Sequence, residues 1–320
     1  MIGPELLRQQ VLRTAGLLRA GVPRRVCRFK RQNDPDNQWL KQTWGLRALK
    51  TKGQEWVPFS RTDFTGRFVF HFLVRQVPVE HLSDIMNANG LTLKSGETTH
   101  PVFLLLGHQQ GVRQILWPEG IEMNYLESII GIPEVWLRNC TDGYCGPFNF
   151  ATRIDANELS PVLLGLIVGY PKHVSWMDSS RGIFHVNQVG TATRILTARF
   201  QEAGSRFRTR EQLTLNELAM LQHPVFSRSL VSPQIFTYMD WQFEEAWGFA
   251  QRATASVTVF RDLPGLPAGT YEWKNPADGL ALRISVPWQL AGPFPRSAIR
   301  CYPKNPPAAT EAQSSDYQRR

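Results

Sequence analysis

The chain has 320 residues, 42% of them hydrophobic and 20% charged, with ten Trp and eighteen Phe. That composition excludes a disordered chain, and no apolar run approaches the roughly 18 residues that a membrane-spanning helix needs. The net charge of +9 suggests a nucleic-acid partner until it is divided: residues 1–52 carry twelve Lys and Arg against three Asp and Glu, so the other 268 residues are neutral.

A nucleic-acid-binding fold concentrates its basic residues on the folded body, so no nucleic-acid partner is expected of this one. Residues 1–52 read as a basic N-terminal extension. Within residues 1–31, Leu7, Val11 and Leu18 lie among Arg8, Arg13, Arg19, Arg24, Arg25, Arg28, Lys30 and Arg31, with only Glu5 opposing. One reading is a solvated basic extension that packs loosely on the body or on an anionic partner. The other is a mitochondrial transit peptide, against which stand the lack of Ser and the early Pro23. Arg interrupts every apolar stretch here, so no secretory signal is read and a soluble, cytoplasmic protein is expected. The sequon Asn139-Cys140-Thr141 is then left unglycosylated, and Cys140 and Cys145 read as free thiols rather than a bridge. Cys140 and Cys145 also lack a nearby His pair at zinc spacing, so no metal site is expected.

From Thr51 onward the chain reads as strands separated by turns. Arg67 to Val74 is aromatic and β-rich and predicts a strand. Pro78 opens a short helix whose apolar face is Val79, Leu82 and Met86, and Gly90 ends it. Val102–Leu106 is a continuous apolar run, as in a strand buried on both faces. Ile183–Phe200 predicts a hairpin around Gly190. Thr214 and Glu217 form a capping box that opens a helix over Leu215–Gln222, closed by Pro224. Later strands are expected at Ile235–Gln242, Ala255–Phe260 and Leu280–Val286, the last stopping before Pro287. Residues 296–320 turn to Pro, Ala, Ser and charge and read as a disordered C-terminal tail. Many strands, few short helices and no βαβ alternation give an α+β, mainly antiparallel β class. The expectation is a single-domain β-barrel over residues 53–295.

The stretch richest in chemistry runs from Pro161 to Trp176. It carries no charge from Pro161 to Pro171 and passes Gly165 and Gly169 to reach Tyr170-Pro171-Lys172-His173. The apolar run belongs inside, and a Gly-Tyr-Pro turn then delivers Lys172 to the inner face or rim of the core. A lysine in an apolar setting loses hydration, which disfavours its charged form and leaves an amine able to attack carbonyl groups. The alternative is that Lys172 snorkels from a turn after a buried strand.

Gly169-Tyr-Pro-Lys172 after a Leu-Gly-bearing apolar run resembles the signature around the Schiff-base lysine of the acetoacetate decarboxylase-like family. Asn124-Tyr125-Leu126-Glu127-Ser128-Ile129 resembles the segment holding that family's active-site glutamate, and Arg67 falls where the family has its arginine. Ile154-Asp155, the Gly190-Thr-Ala-Thr turn and Asp240–Trp247 resemble further family segments, so the likeness spans about residues 60 to 292. There are departures: His173 stands in place of a second lysine, and Gly165-Leu166-Ile167 in place of Gly-Arg-Glu. Val102–Leu106 lacks an expected carboxylate, and Cys140–Gly146 reads as an insertion.

The resemblance implies the family's barrel or cone-like sheet, and a cofactor-independent lyase that acts by a Schiff base on a β-keto acid or related carbonyl compound. Lys172 would be the nucleophile and Glu127 would orient substrate or relay protons. Arg67, Tyr125, Tyr170 and His173 would line the substrate site, with a protonated His173 acting on Lys172 as a like charge. No metal or organic cofactor is implied, and family members assemble as homo-oligomers. The departures keep two alternatives open: an imine-forming aldolase or dehydratase, and a non-catalytic small-molecule-binding barrel on the same scaffold.

Overall fold

The structure is a computed structural model, which describes residues 64–94, 96–114, 122–138, 146–167, 170–191, 193–208, 225–228, 236–243 and 248–295. The basic extension, Cys140, Cys145, Gly169, the Leu215–Gln222 segment and the C-terminal tail lie outside those residues.

The elements follow in order as β1 (Phe64–Pro78), α1 (Glu80–Asn89), β2 (Leu91–Thr92), β3 (Thr99–Gln114), β4 (Met123–Leu137) and β5 (Phe148–Ala156). Next come α2 (Leu159–Ile167), β6 (Lys172–Ser180), β7 (Ile183–Gln188), β8 (Arg194–Arg208), β9 (Val225–Arg228) and β10 (Phe236–Phe243). The last are β11 (Phe249–Val259), β12 (Gly269–Trp273), a one-turn 3-10 helix at Pro276–Asp278, and β13 (Leu280–Pro295).

Among the described residues, nine strands close into a barrel in the order β1, β3, β4, β5, β6, β7, β8, β11 and β13, with β13 returning to β1. Neighbouring strands in this ring pair antiparallel except β5 and β6, which α2 connects as a parallel pair. A parallel pair needs a crossover connection, and the apolar run after Leu159 supplies it. That run is therefore a helix rather than a strand. A second path from β13 to β5 runs through β10 and β9.

Period-2 alternation divides the core between the two faces of β1, β3 and β4. Leu73, Leu104, Leu106, Ile130 and Ile132 join one cluster, with Val186, Leu196 and Val257 from the far wall of the barrel. Phe68, Phe70, Phe72, Phe103, Leu105 and Ile129 join the other, with Val162 of α2 and Trp288 of β13. Burial on both faces is why Val102–Leu106 needs an uninterrupted apolar run.

Helix α1 buries Leu82 and Met86, and Gly90 ends it with φ of 64° while donating its N–H to Asn87 and Met86 carbonyls. The Ile183–Phe200 hairpin forms as β7 and β8. Strand β13 continues past Pro287 instead of stopping there. On the side away from β1, it pairs with β11 as far as Ser285 and with β10 from Trp288. Pro287 falls at that hand-over, still in register with Arg67 of β1.

Candidate active site

Glu127 lies on β4 with Tyr125 and Ile129 on the face that carries the Phe68–Phe72 cluster. Lys172 is the first residue of β6, in register with Ile154, which joins the same cluster. The Lys172 Nζ donates to Glu127 Oε1 at 2.7 Å, and the two side chains are only 10% and 2% exposed. An ion pair this far from water keeps its charges only with further hydrogen bonds. Glu127 has one: Gln109 Nε2 donates to its Oε2 at 2.8 Å. Gln109 in turn accepts from Trp288 Nε1 at 2.9 Å, and both are buried. A continuous polar chain thus runs from Lys172 through Glu127 and Gln109 to Trp288.

The lysine stem reaches this position across Gly165 of α2. A Cβ at Gly165 would stand 2.3 Å from Lys172 Cδ and 2.8 Å from Cγ and Cε, so only glycine leaves the stem its channel. The Ile154 N–H donates to the Pro171 carbonyl, which ties the turn before Lys172 to β5.

Tyr125 and Tyr170 are buried in the same cluster, and the Lys172 amine sits 5.8 Å from the Tyr125 ring centroid. Burial pushes the Tyr125 phenol well above its ordinary pKa, and the Glu127 charge adds to the shift, so the hydroxyl stays protonated. Tyr170 donates its N–H to the Gly165 carbonyl and so braces α2 against the lysine turn.

His173 and Arg67 are not brought to the pair. As the next residue along β6, His173 points to the opposite face, where it is exposed near Arg153 and Asp155. Its pKa is lowered, by desolvation first and by the Arg153 charge second. A neutral ring on the other face does not act on Lys172 as a like charge. Arg67 donates to Ser285 Oγ at 3.2 Å, on the side of β1 and β13 away from Phe68 and Ile284. The cleft of about 740 Å³ lined by Val74, Arg75, Arg252, Trp273 and Lys274 includes none of these site residues. Its cations lie at the surface, whereas the paired charges of Lys172 and Glu127 lie beneath α2, 10% and 2% exposed.

Gln109 was missed in the sequence. It lies on β3 beyond the apolar run, and it supplies a polar group on the strand where the family resemblance expects a carboxylate. Alternation carried two residues past Gly107 would have put it on the Glu127 face.

No protein-family profile and no curated protein matches the sequence. Among solved structures, the enduracididine biosynthesis enzyme MppR superposes on 74% of this chain and 90% of its own, at TM-score 0.53 and 12% identity. Its pyruvate complex gives TM-score 0.51 at 14% identity, over 74% of this chain and 90% of that one. The chain has the acetoacetate decarboxylase-like fold. An acetoacetate decarboxylase-like enzyme from Sphingomonas wittichii RW1 covers 73% of this chain and 92% of its own, at TM-score 0.49 and 11% identity. At these identities the likeness is one of fold, which enzymes of differing chemistry share. Among the described residues no helix is long and apolar enough to cross a membrane.

Proposed function

We propose that the chain is a cofactor-independent lyase that forms an imine between Lys172 and a β-keto acid or related carbonyl compound. The observation that carries this reading is the buried Lys172–Glu127 contact at 2.7 Å. Glu127 takes a proton from the lysine ammonium across that hydrogen bond and frees the amine. The amine attacks the substrate ketone, and loss of water leaves a protonated imine. Departure of the carboxylate as carbon dioxide sends its electron pair into the imine and gives an enamine. Reprotonation at carbon and hydrolysis release the product and restore Lys172. The imine is its own electron sink, so the reading calls for no metal or organic cofactor. The Tyr125 ring lies 5.8 Å from the amine, and its hydroxyl stays protonated and able to donate.

A second reading keeps the imine and changes the bond that is made or broken. MppR has been solved with pyruvate and with the condensation product of pyruvate and imidazole 4-carboxaldehyde. Aldol-type condensation of a 2-keto acid uses the same nucleophile and the same proton relay. Borohydride trapping separates both readings from a non-catalytic barrel: acetoacetate or pyruvate is added, reduced in place, and the adduct located by mass spectrometry. A reduced adduct on Lys172 is expected, absent in Lys172→Met. Carbon dioxide release from acetoacetate then favours the first reading, and adduct formation without release favours the second. No adduct with either keto acid overturns the imine mechanism.

A further inference from the structure

We infer that Gln109 is a positioning residue that holds Glu127 as a carboxylate with one oxygen reserved for Lys172. Gln109 is fully buried and spends both ends of its amide: Nε2 on Glu127 Oε2 at 2.8 Å, and Oε1 on Trp288 Nε1 at 2.9 Å. The direction of this chain is set at its far end. An indole N–H only donates, so Gln109 Oε1 must face Trp288 and its NH₂ must face Glu127. An NH₂ group cannot accept, so Oε2 receives a hydrogen bond and carries no proton. Oε1 is then the single basic oxygen, and it lies 2.7 Å from Lys172 Nζ.

The neighbourhood of Glu127 leaves little else to set its charge. Among the described residues, Lys172 faces it from β6 and Tyr125 from its own strand. Strand β5 presents Ala156 in register with it, β3 presents Gly107, β13 presents Trp288, and α2 carries no charged residue. A neutral amide at position 109 supports the carboxylate, whereas a second acid there would repel it. As a role in catalysis, this assignment rests on the imine chemistry proposed above.

The test measures the protonation of Glu127 directly. In infrared difference spectra, the stretch of a protonated carboxyl that is lost in Glu127→Gln is followed as pH falls, in wild type and in Gln109→Met. Removing the donor makes the carboxylate easier to protonate, so the midpoint in Gln109→Met rises by about one pH unit. The acid limb of Lys172 trapping by acetoacetate moves up by the same amount. Trp288→Phe frees the amide to rotate and moves the midpoint the same way by less, and it decides the matter if Gln109→Met does not fold. A lowered melting temperature with unmoved midpoints would mean that Gln109 only packs, and the inference would be wrong. If wild type traps no keto acid but the infrared midpoint still shifts, the imine reading falls and the positioning role stands.

Discussion

Replacing Gly165 with alanine tests whether the packing of α2, rather than the turn alone, aims the lysine. The new Cβ would lie 2.3 Å from Lys172 Cδ, about 1.2 Å inside the roughly 3.5 Å at which carbon atoms settle. If the stem retreats by that distance away from Glu127, the 2.7 Å contact from Nζ to Oε1 opens to about 3.9 Å and is no longer a hydrogen bond. Stability is expected to change little. Alanine favours a helix interior by about 1 kcal/mol over glycine, while overpacking costs about 1–3 kcal/mol. The net effect lies within about 2 kcal/mol. Reactivity responds more steeply, because a displacement of about 1 Å from attack geometry costs on the order of 100-fold in rate. The assay pairs urea unfolding with the rate of borohydride-trapped adduct formation at Lys172. A trapping rate within twofold of wild type, in a folded Gly165→Ala protein, would show that the stem has another route and that Gly165 does not shape the site.

Two further outcomes are expected. Glu127→Gln leaves a buried ammonium without its carboxylate, which costs about 3–5 kcal/mol by urea unfolding at neutral pH. Adduct formation falls by on the order of 100-fold or more. An unchanged trapping rate would remove Glu127 from the proton relay. Separately, His71 is partly buried against Phe200, ring centroids 3.6 Å apart, and desolvation, helped by the Arg283 charge, lowers its pKa to about 3. Here the folded state binds the proton more weakly than the unfolded chain, so the contribution of neutral His71 is full above pH 6.5 and is lost as pH falls toward 3. Between pH 7 and pH 5 this is worth about 2 kcal/mol. His71→Gln should flatten the pH dependence of unfolding by about that much, and an equal slope in both proteins would contradict the assignment.

How far the sequence reached is clearest strand by strand. Phe68–Val74, Val102–Leu106 and the Ile183–Phe200 hairpin were readable because alternation and apolar runs are local consequences of which faces are buried. Helix α1 was readable because Leu82, Met86 and Gly90 mark a face and a stop within one segment. The run from Pro161 reads only as buried, with a buried strand the element named before Lys172, although an apolar segment of that length is buried as a strand or as a helix. The parallel register of β5 and β6 decided for the helix. Lys172 and Glu127 could be named from their motifs, but sequence spacing says nothing about the 2.7 Å between them.

The sequence by itself determined a mainly antiparallel body of neutral charge, a lysine placed after an uncharged run, and the strands that would carry its partners. Local composition and period-2 patterning act within a few residues, so they are legible in one dimension. The tertiary structure alone decided which side of each strand meets the lysine. One-residue offsets sent Arg67 and His173 to the far face. Barrel closure carried Trp288 across 179 positions of chain to Gln109, and through it to Glu127. Such contacts depend on how distant strands close on one another, which no stretch of neighbouring residues records.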